Sequence, residues 1–324
     1  MVVLSDLIQR TQFAIEILRQ SLLLSVFWNA GVVVPDAELK RMMLANVGKM
    51  FDFDYFNDLT ATDNIGDDSN NDANVDGIDT GTDTAIANFR NIAFGAKSIT
   101  ANLSSTGNAM TAISGRIGAR WALLQDAVTI AIVTGIIESN ILNDGGDMVI
   151  SQTGTLVDIG MILDTIQTAG DAQDNLFGAM ICHSAIRTAL RKQGVTDKVY
   201  DLQGNYLYEA LSGLRLVVRD NVETGVPSAG DYTSYVIGTG LVGYGEGAPA
   251  KALELDSRPL SGNGAGEEIL VSRRNYCLHP YGFSFVGSPA STTPTNAEFA
   301  DAASWERTAD RKAVKLAALR CSAQ

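Results

Sequence analysis

Between Met110 and Ile136 apolar residues recur every three or four positions: Met110, Ile113, Ile117, Trp121, Leu124, Val128, Ile132 and Ile136. That spacing marks one face of an α-helix. It predicts a helix over about 107–138, capped by Ser105 or Thr106 and roughly 45–50 Å long at 1.5 Å per residue. The stripe reads as core, and its length reads as a spine. Upstream, FDFDYFNDL (51–59) alternates aromatic and acidic residues as a half-buried strand does. AIANFRNIAFGAKSITANL reads as one or two strands, and Pro35–Asp36 opens a short helix over Ala37 to Ala45 after an amphipathic arm. The second half reads as mixed α/β, with a helix near 156–172, a buried strand FGAMIC (177–182) and a helix SAIRTALRKQ stopped by Gly194. Strand-rich hairpins follow through YLYEALSGLRLVVRD, YTSYVIGTGLVGYGEG and EEILVSRRNYCLHPYGFSFVG. Thr295 or Asn296 then caps a last helix.

Charge adds a feature that the periodicity does not contain. The net charge of the 324-residue chain is −13, but residues 50–89 hold ten Asp and no Lys or Arg, so −13 + 10 leaves −3 for everything else. Gly66, Gly77 and Gly81 make the acidic stretch a loop. Basic residues occur only in short groups such as Arg187/Arg191/Lys192 and Arg273/Arg274, which argues against a nucleic-acid binder working by phosphate neutralisation. The longest uncharged apolar run, Ser21 to Pro35, is short for a membrane span and is interrupted by Asn29 and Gly31. Acidic residues ahead of it argue against a signal peptide. Cys182, Cys277 and Cys321 are too few and too scattered for a disulfide framework.

Candidate chemistry is sparse. Gly238, Gly240 and Gly243 have the spacing of a dinucleotide-binding turn, but Pro249 and further glycines follow where a helix should receive the pyrophosphate. A glycine-rich strand and turn is the better reading, and a nucleotide-dependent enzyme is kept only as a remote alternative. His183 and His279 fit no nucleophile or metal pattern, so structural roles are expected and no enzyme site is read. The sharpest motif lies in the acidic stretch, where Asp72, Asn74, Asp76, Gly77 and Asp83 fall at positions 1, 3, 5, 6 and 12 of a calcium-loop template. Calcium is therefore the candidate cofactor, with Asp72, Asn74, Asp76 and Asp83 as its side-chain ligands. A solvated tip without a metal or any other cofactor is the leading expectation, and calcium is the alternative to it.

FNDLT, AISGRIGARWALLQDAVTIAIVTGI, ICHSAIRTALRKQ, YVIGTGLVGYGEG, RRNYCLHPYGFSFVG and PTNAEFADAASWERTADRKAVKLAALR resemble, in this order, the major capsid proteins of tailed bacteriophages. The resemblance spans most of 50–320 and implies an α+β, Hong Kong 97-type capsid fold. It implies an N-terminal arm (1–50), an extended loop with the acidic insertion (51–95), and a peripheral domain with a spine helix (96–149). An axial domain (150–270) follows, and 271–324, including a C-terminal helix, returns to the peripheral domain. The implied partners are other copies of the chain in hexamers and pentamers, a portal protein, packaged double-stranded DNA without sequence-specific binding, and on the outside a decoration protein. No membrane is implied. Because the chain begins directly with the arm, a separate scaffolding protein is expected. Some members lock the shell through a loop lysine, and residues 50–89 have none. An encapsulin-like protein compartment of the same fold is the near alternative.

Overall fold

The computed structural model describes residues 25–45, 48–56, 59, 63–66, 72–97, 109–201, 203–204, 206–220 and 230–323. The chain is α+β and is organised around the long helix Ala109–Asn143. Its apolar stripe is buried at Ile117, Trp121, Val128, Ile132 and Ile136. From 128 to 137 every residue is buried, whichever way it points. A helix covered on all sides is a core helix, so the stretch Arg116–Asn143, long and apolar enough to cross a membrane, is instead mostly enclosed by its own chain. The helix runs past the predicted end near 138. Ser139 donates to the Trp305 carbonyl at 2.7 Å, and Asn140 Oδ1 accepts from Met148 N at 3.1 Å. Gly145 and Gly146, both left-handed, then turn the chain back. The expected caps Ser105 and Thr106 lie outside the described residues.

Two sheets flank this helix. One has the order β1 (Val33–Pro35), β10 (Val242–Gly247), β12 (Glu267–Pro280), β3 (Thr80–Lys97) and β2 (Met50–Phe56), with β11 (Leu253–Arg258) also on β12. The other has the order β4 (Val149–Leu156), β15 (Leu316–Ser322), β9 (Asp231–Ile237), β5 (Ala179–Cys182), β8 (Leu214–Val218), β7 (Tyr206–Leu211) and β6 (Asp197–Tyr200). Alternation along β15 divides two cores. Leu316 and Ala318 join the core around the long helix, while Ala317, Leu319 and Cys321 join the one beneath helices Ile159–Gln167 and Ser184–Gln193. A small ribbon, β13 (Phe283–Phe285) with β14 (Trp305–Arg307), closes the far side.

Several expectations are corrected. YTSYVIGTGLVGYGEG is not a hairpin: β9 and β10 belong to different sheets, and the glycine turn crosses between them. Gly238 is required there because a Cβ would sit 2.1 Å from the Leu176 carbonyl oxygen. The helix near 156–172 gives way to β4 through Leu156, and its helical part, Ile159–Gln167, starts behind the Asp158 cap. Near the C-terminus, Thr295 and Glu298 form a capping box, but the helix is only Asn296–Phe299. The chain ends as β15 in the seven-stranded sheet, which its apolar, small-residue sequence fits. By strand pairing, then, 242–280 belongs with β3 and the hairpin, and 316–322 belongs with the sheet built from 149–237.

Candidate assembly elements and the root of the hairpin

The hairpin β2–β3 is the most extended element. Its register pairs Met50 with Ile86 and Phe56 with Thr80. β3 also pairs with β12 from Ala87 to Lys97, which fixes its inner half in the sheet. Along β2, Phe51 is buried and Phe53 and Tyr55 are half-buried, while Asp52 and Asp54 face water and accept from Thr84 Oγ1 and Thr82 Oγ1 at 2.9 and 3.0 Å. The alternation read from the sequence is therefore the register of a strand whose core face ends at its root.

At that root four segments meet. His279 Nε2 lies 3.1 Å from Asp83 Oδ2, and the imidazole stacks on Phe53 with ring centroids 5.6 Å apart. Tyr281 donates its hydroxyl to Asp36 Oδ2, while Asp36 Oδ1 accepts from Glu38 N at 2.7 Å and so caps helix Ala37–Ala45. Tyr55 Oη donates to the Thr308 carbonyl at 3.2 Å. Burial and the hydrogen bond to Asp36 push the Tyr281 phenol well above its ordinary range. Helix Ala37–Ala45 lies close on β10 because Gly243 and Gly245 carry no side chain; a Cβ on Gly245 would come within 2.6 Å of the Leu39 backbone. This close approach is what the glycines of GTGLVGYGEG provide.

The predicted calcium ligands are not brought together. Asp72, Asn74 and Asp76 are exposed. Asn74 Nδ2 donates to Asp76 Oδ1 at 3.2 Å, and the Asn64 side chain clasps the Asn74 backbone with two hydrogen bonds of 3.0 Å. Asp83 instead sits in β3 opposite Phe53, bonded to His279. Among the described residues no group of three or more His, Cys, Asp or Glu could hold a metal ion. Parts of the acidic stretch, including Asp67 and Asp68, lie outside the described residues.

Two buried carboxylates that were not singled out in the sequence hold the body together. Asp126, on the long helix, accepts from Ser25 Oγ at 2.6 Å and from Arg219 Nη2 at 2.6 Å, tying the arm and the end of β8 to one helix position. A single acidic residue in an otherwise apolar helical run was the signal for such a tie, since a buried charge needs a partner. Glu209 is clasped by Arg187 at 2.8 Å and Arg191 at 2.7 Å. The hydrogen bond from Arg191 is the main reason its carboxyl is held down to about 2, with Arg187 adding to it against the cost of burial. His183 accepts from Ala185 N at 3.1 Å as a helix cap and stacks on Tyr232. All three cysteines are free and buried, and desolvation raises the Cys182 and Cys321 thiols to about 12.

The hairpin and the described residues between its strands leave large apolar side chains uncovered. Phe56, Leu59, Ile65 and Val75 are 71%, 76%, 90% and 89% exposed. Side chains of this kind on an extended element are open to being covered by another chain.

No protein-family model matches the chain. It is 28% identical over 317 residues to the major capsid protein of Bacillus phage SPP1, a match covering 97% of this chain and 96% of that protein. The chain belongs with the phage major capsid proteins. Its fold is the Hong Kong 97-type capsid fold, shared with the capsid of cyanophage Pam1 at a TM-score of 0.55 and 10% identity, covering 90% of this chain and 88% of that one. The capsid of Ralstonia phage GP4 is similar at a TM-score of 0.53 and 12% identity, over 80% of this chain and 87% of that one. A capsid protein self-associates, and its place is the virion shell.

Proposed function

We propose that this capsid protein closes into an icosahedral shell of hexamers and pentamers around double-stranded DNA held without sequence-specific contacts. The end-to-end similarity to a phage major capsid protein carries this reading. The exposed apolar residues of the hairpin support it, since covering them requires neighbouring copies. A separate scaffolding protein directs closure, a portal protein occupies one vertex, and the outside is open to a decoration protein; no membrane takes part. The role is structural and not enzymatic: His183 and His279 are engaged in capping and in the hairpin root. Residues 1–50 act as the arm, 51–95 as the extended loop and Ala109–Asn143 as the spine helix. The seven-stranded sheet supports an axial domain over 150–237 that also takes in 316–322, and the six-stranded sheet supports a peripheral region. The acidic stretch faces outward, where it is solvated and does not add repulsion against packaged phosphates. Co-expression with the phage's scaffolding protein, followed by electron microscopy and assay of particle contents, tests this. Closed angular shells that take up DNA in the presence of the packaging motor are expected. A small soluble oligomer under all conditions, or enzyme-filled shells without DNA, would overturn it.

A further inference from the structure

The turn that joins β11 to β12 contains the one Asn-Gly step in the sequence, Asn263-Gly264. Asparagine is a chemically labile residue, and most so ahead of glycine, where no Cβ shields the next backbone nitrogen from the side-chain amide. Whether such a step reacts depends on how firmly the fold holds it. Here the base of the turn is fixed and its tip is not. Ser257 pairs with Glu268 and Arg258 with Glu267, and Gly266 N donates to the Ser261 carbonyl at 3.0 Å. Inside that closure the two remaining bonds, Gly264 N to Leu260 O and Ala265 N to Gly262 O, are long at 3.4 and 3.3 Å. Gly262, Asn263 and Gly264 are exposed and left-handed, and a Cβ on Gly264 would meet nothing within 4 Å. Among the described residues the Asn263 side chain has no hydrogen-bond partner. By contrast, the Asn140 and Asn143 amides donate to Asp147 at 2.7 Å and to Ser139 Oγ at 3.0 Å.

We propose that Asn263 is a site of spontaneous modification, converted by ring closure onto Gly264 to a mixture of aspartate and isoaspartate. The Gly264 backbone nitrogen gives up its proton to solvent and bonds to Asn263 Cγ. The Cγ–Nδ2 bond breaks, and the amide nitrogen takes a proton from water and leaves as ammonia. Closing this ring requires rotation about the Asn263 Cα–C bond, which glycines on both sides and long flanking hydrogen bonds permit. The cyclic imide then adds one water. Opening at Cγ–N restores the ordinary main chain with an aspartate side chain, and opening at the Asn263 carbonyl carbon routes the main chain through Cβ as isoaspartate. The sum is one water gained and one ammonia lost, with no oxidation or reduction. Each event places a carboxylate at the tip of a turn whose base already carries Glu267 and Glu268. Because the paired residues of β11 and β12 lie outside the turn, the fold is kept while the surface charge of the subunit changes with age.

The test incubates the full folded chain at mildly alkaline pH beside the same chain unfolded in guanidinium chloride. Conversion at each asparagine is followed by peptide mapping with mass spectrometry, and isoaspartate is scored with isoaspartyl methyltransferase. In the folded chain Asn263 should convert within roughly threefold of its rate in the unfolded chain and at least roughly tenfold faster than Asn140 or Asn143, because the turn offers little protection. An Asn263 that reacts only when the chain is unfolded, or no faster than Asn143 in the folded chain, overturns the proposal. Gly264→Ala should slow the reaction at least roughly tenfold by crowding the attacking nitrogen. Alanine is strained at the φ of +88° found at Gly264, so this variant is compared in the unfolded chain as well, where the native turn plays no part. Conversion at an unchanged rate in Gly264→Ala, or conversion to aspartate without isoaspartate in the wild-type chain, would mean direct hydrolysis of the amide and would overturn the ring-closure route.

Discussion

The long helix and the β2–β3 hairpin are both extended and both rich in apolar residues, yet the helix is enclosed by its own chain throughout 128–137 and the hairpin is enclosed only at its root. Around the helix several polar side chains are tied into the fold. Thr134 bonds Tyr235 at 2.9 Å, Ser139 bonds the Trp305 carbonyl, and Asp126 holds the arm and Arg219. Beyond its root, the hairpin exposes Phe56, Ile65 and Val75 to water. The contrast separates stability from assembly. Damage at the helix should unfold the subunit, whereas damage at the hairpin should leave the subunit intact and impair the shell.

The largest effect is expected at Gly135, where a Cβ would stand 2.0 Å from the Phe299 carbonyl oxygen and 2.8 Å from Trp305 Nε1. Gly135→Ala must push the Phe299–Trp305 segment off the helix. Urea unfolding should show a loss of about 3 kcal/mol or more, at the upper end for overpacking. A loss under about 1 kcal/mol would mean that the close approach is relaxed in solution.

Asp126→Ala comes next. It leaves the Arg219 guanidinium without its carboxylate and frees Ser25, and about 3 kcal/mol should be lost, as when one partner of a buried pair is removed. Asp126→Asn, which retains an acceptor for Ser25, should cost less. Equal losses for the two variants would show that the acceptor oxygen for Ser25 contributes nothing and that the charge on Asp126 accounts for the whole tie.

A smaller effect, limited to acid, belongs to Glu209. Its carboxyl is held below the ordinary 4.5, down to about 2, by Arg191 and Arg187. The lowered value means that the folded state favours the ionised form. The contribution is therefore complete above about pH 4.5 and is lost as pH falls toward 2. Glu209→Gln should flatten that part of the stability profile in urea titrations run across this window. An unchanged acid slope would remove Glu209 as its source.

The smallest effects on the subunit fall on the hairpin. Ile65→Ser/Val75→Ser should change monomer stability by no more than about 0.5 kcal/mol while lowering shell yield, measured by sedimentation. A destabilised monomer would mean that the tip is part of the body. Chelator should leave the melting of the unassembled chain unchanged, because a calcium loop would require Asp83 to leave β3 and His279. A drop in melting temperature that Asp72→Ala/Asp76→Ala abolishes would show instead that the acidic stretch closes around calcium.

What the sequence determined is local. Three- and four-residue spacing placed the long helix, period-two alternation placed β2, and Gly194 in the left-handed conformation ended Ser184–Gln193 as its position predicted. The count of charges confined the acidity to one stretch. These features are written in neighbouring residues, so a window of a dozen residues contains them. Tertiary structure decided the rest. Strands β9 and β10, separated by four residues, enter different sheets because Gly238 and Gly240 let the chain cross at Leu176 and Gly31. Thr295 capped a helix of only four residues because the following segment had to reach the long helix at Gly135. Asp83, read as the last ligand of a loop, became a strand residue paired with His279, 196 positions away. Partners so distant leave no periodic trace in the chain, since what joins them is the burial of a carboxylate that must find a donor.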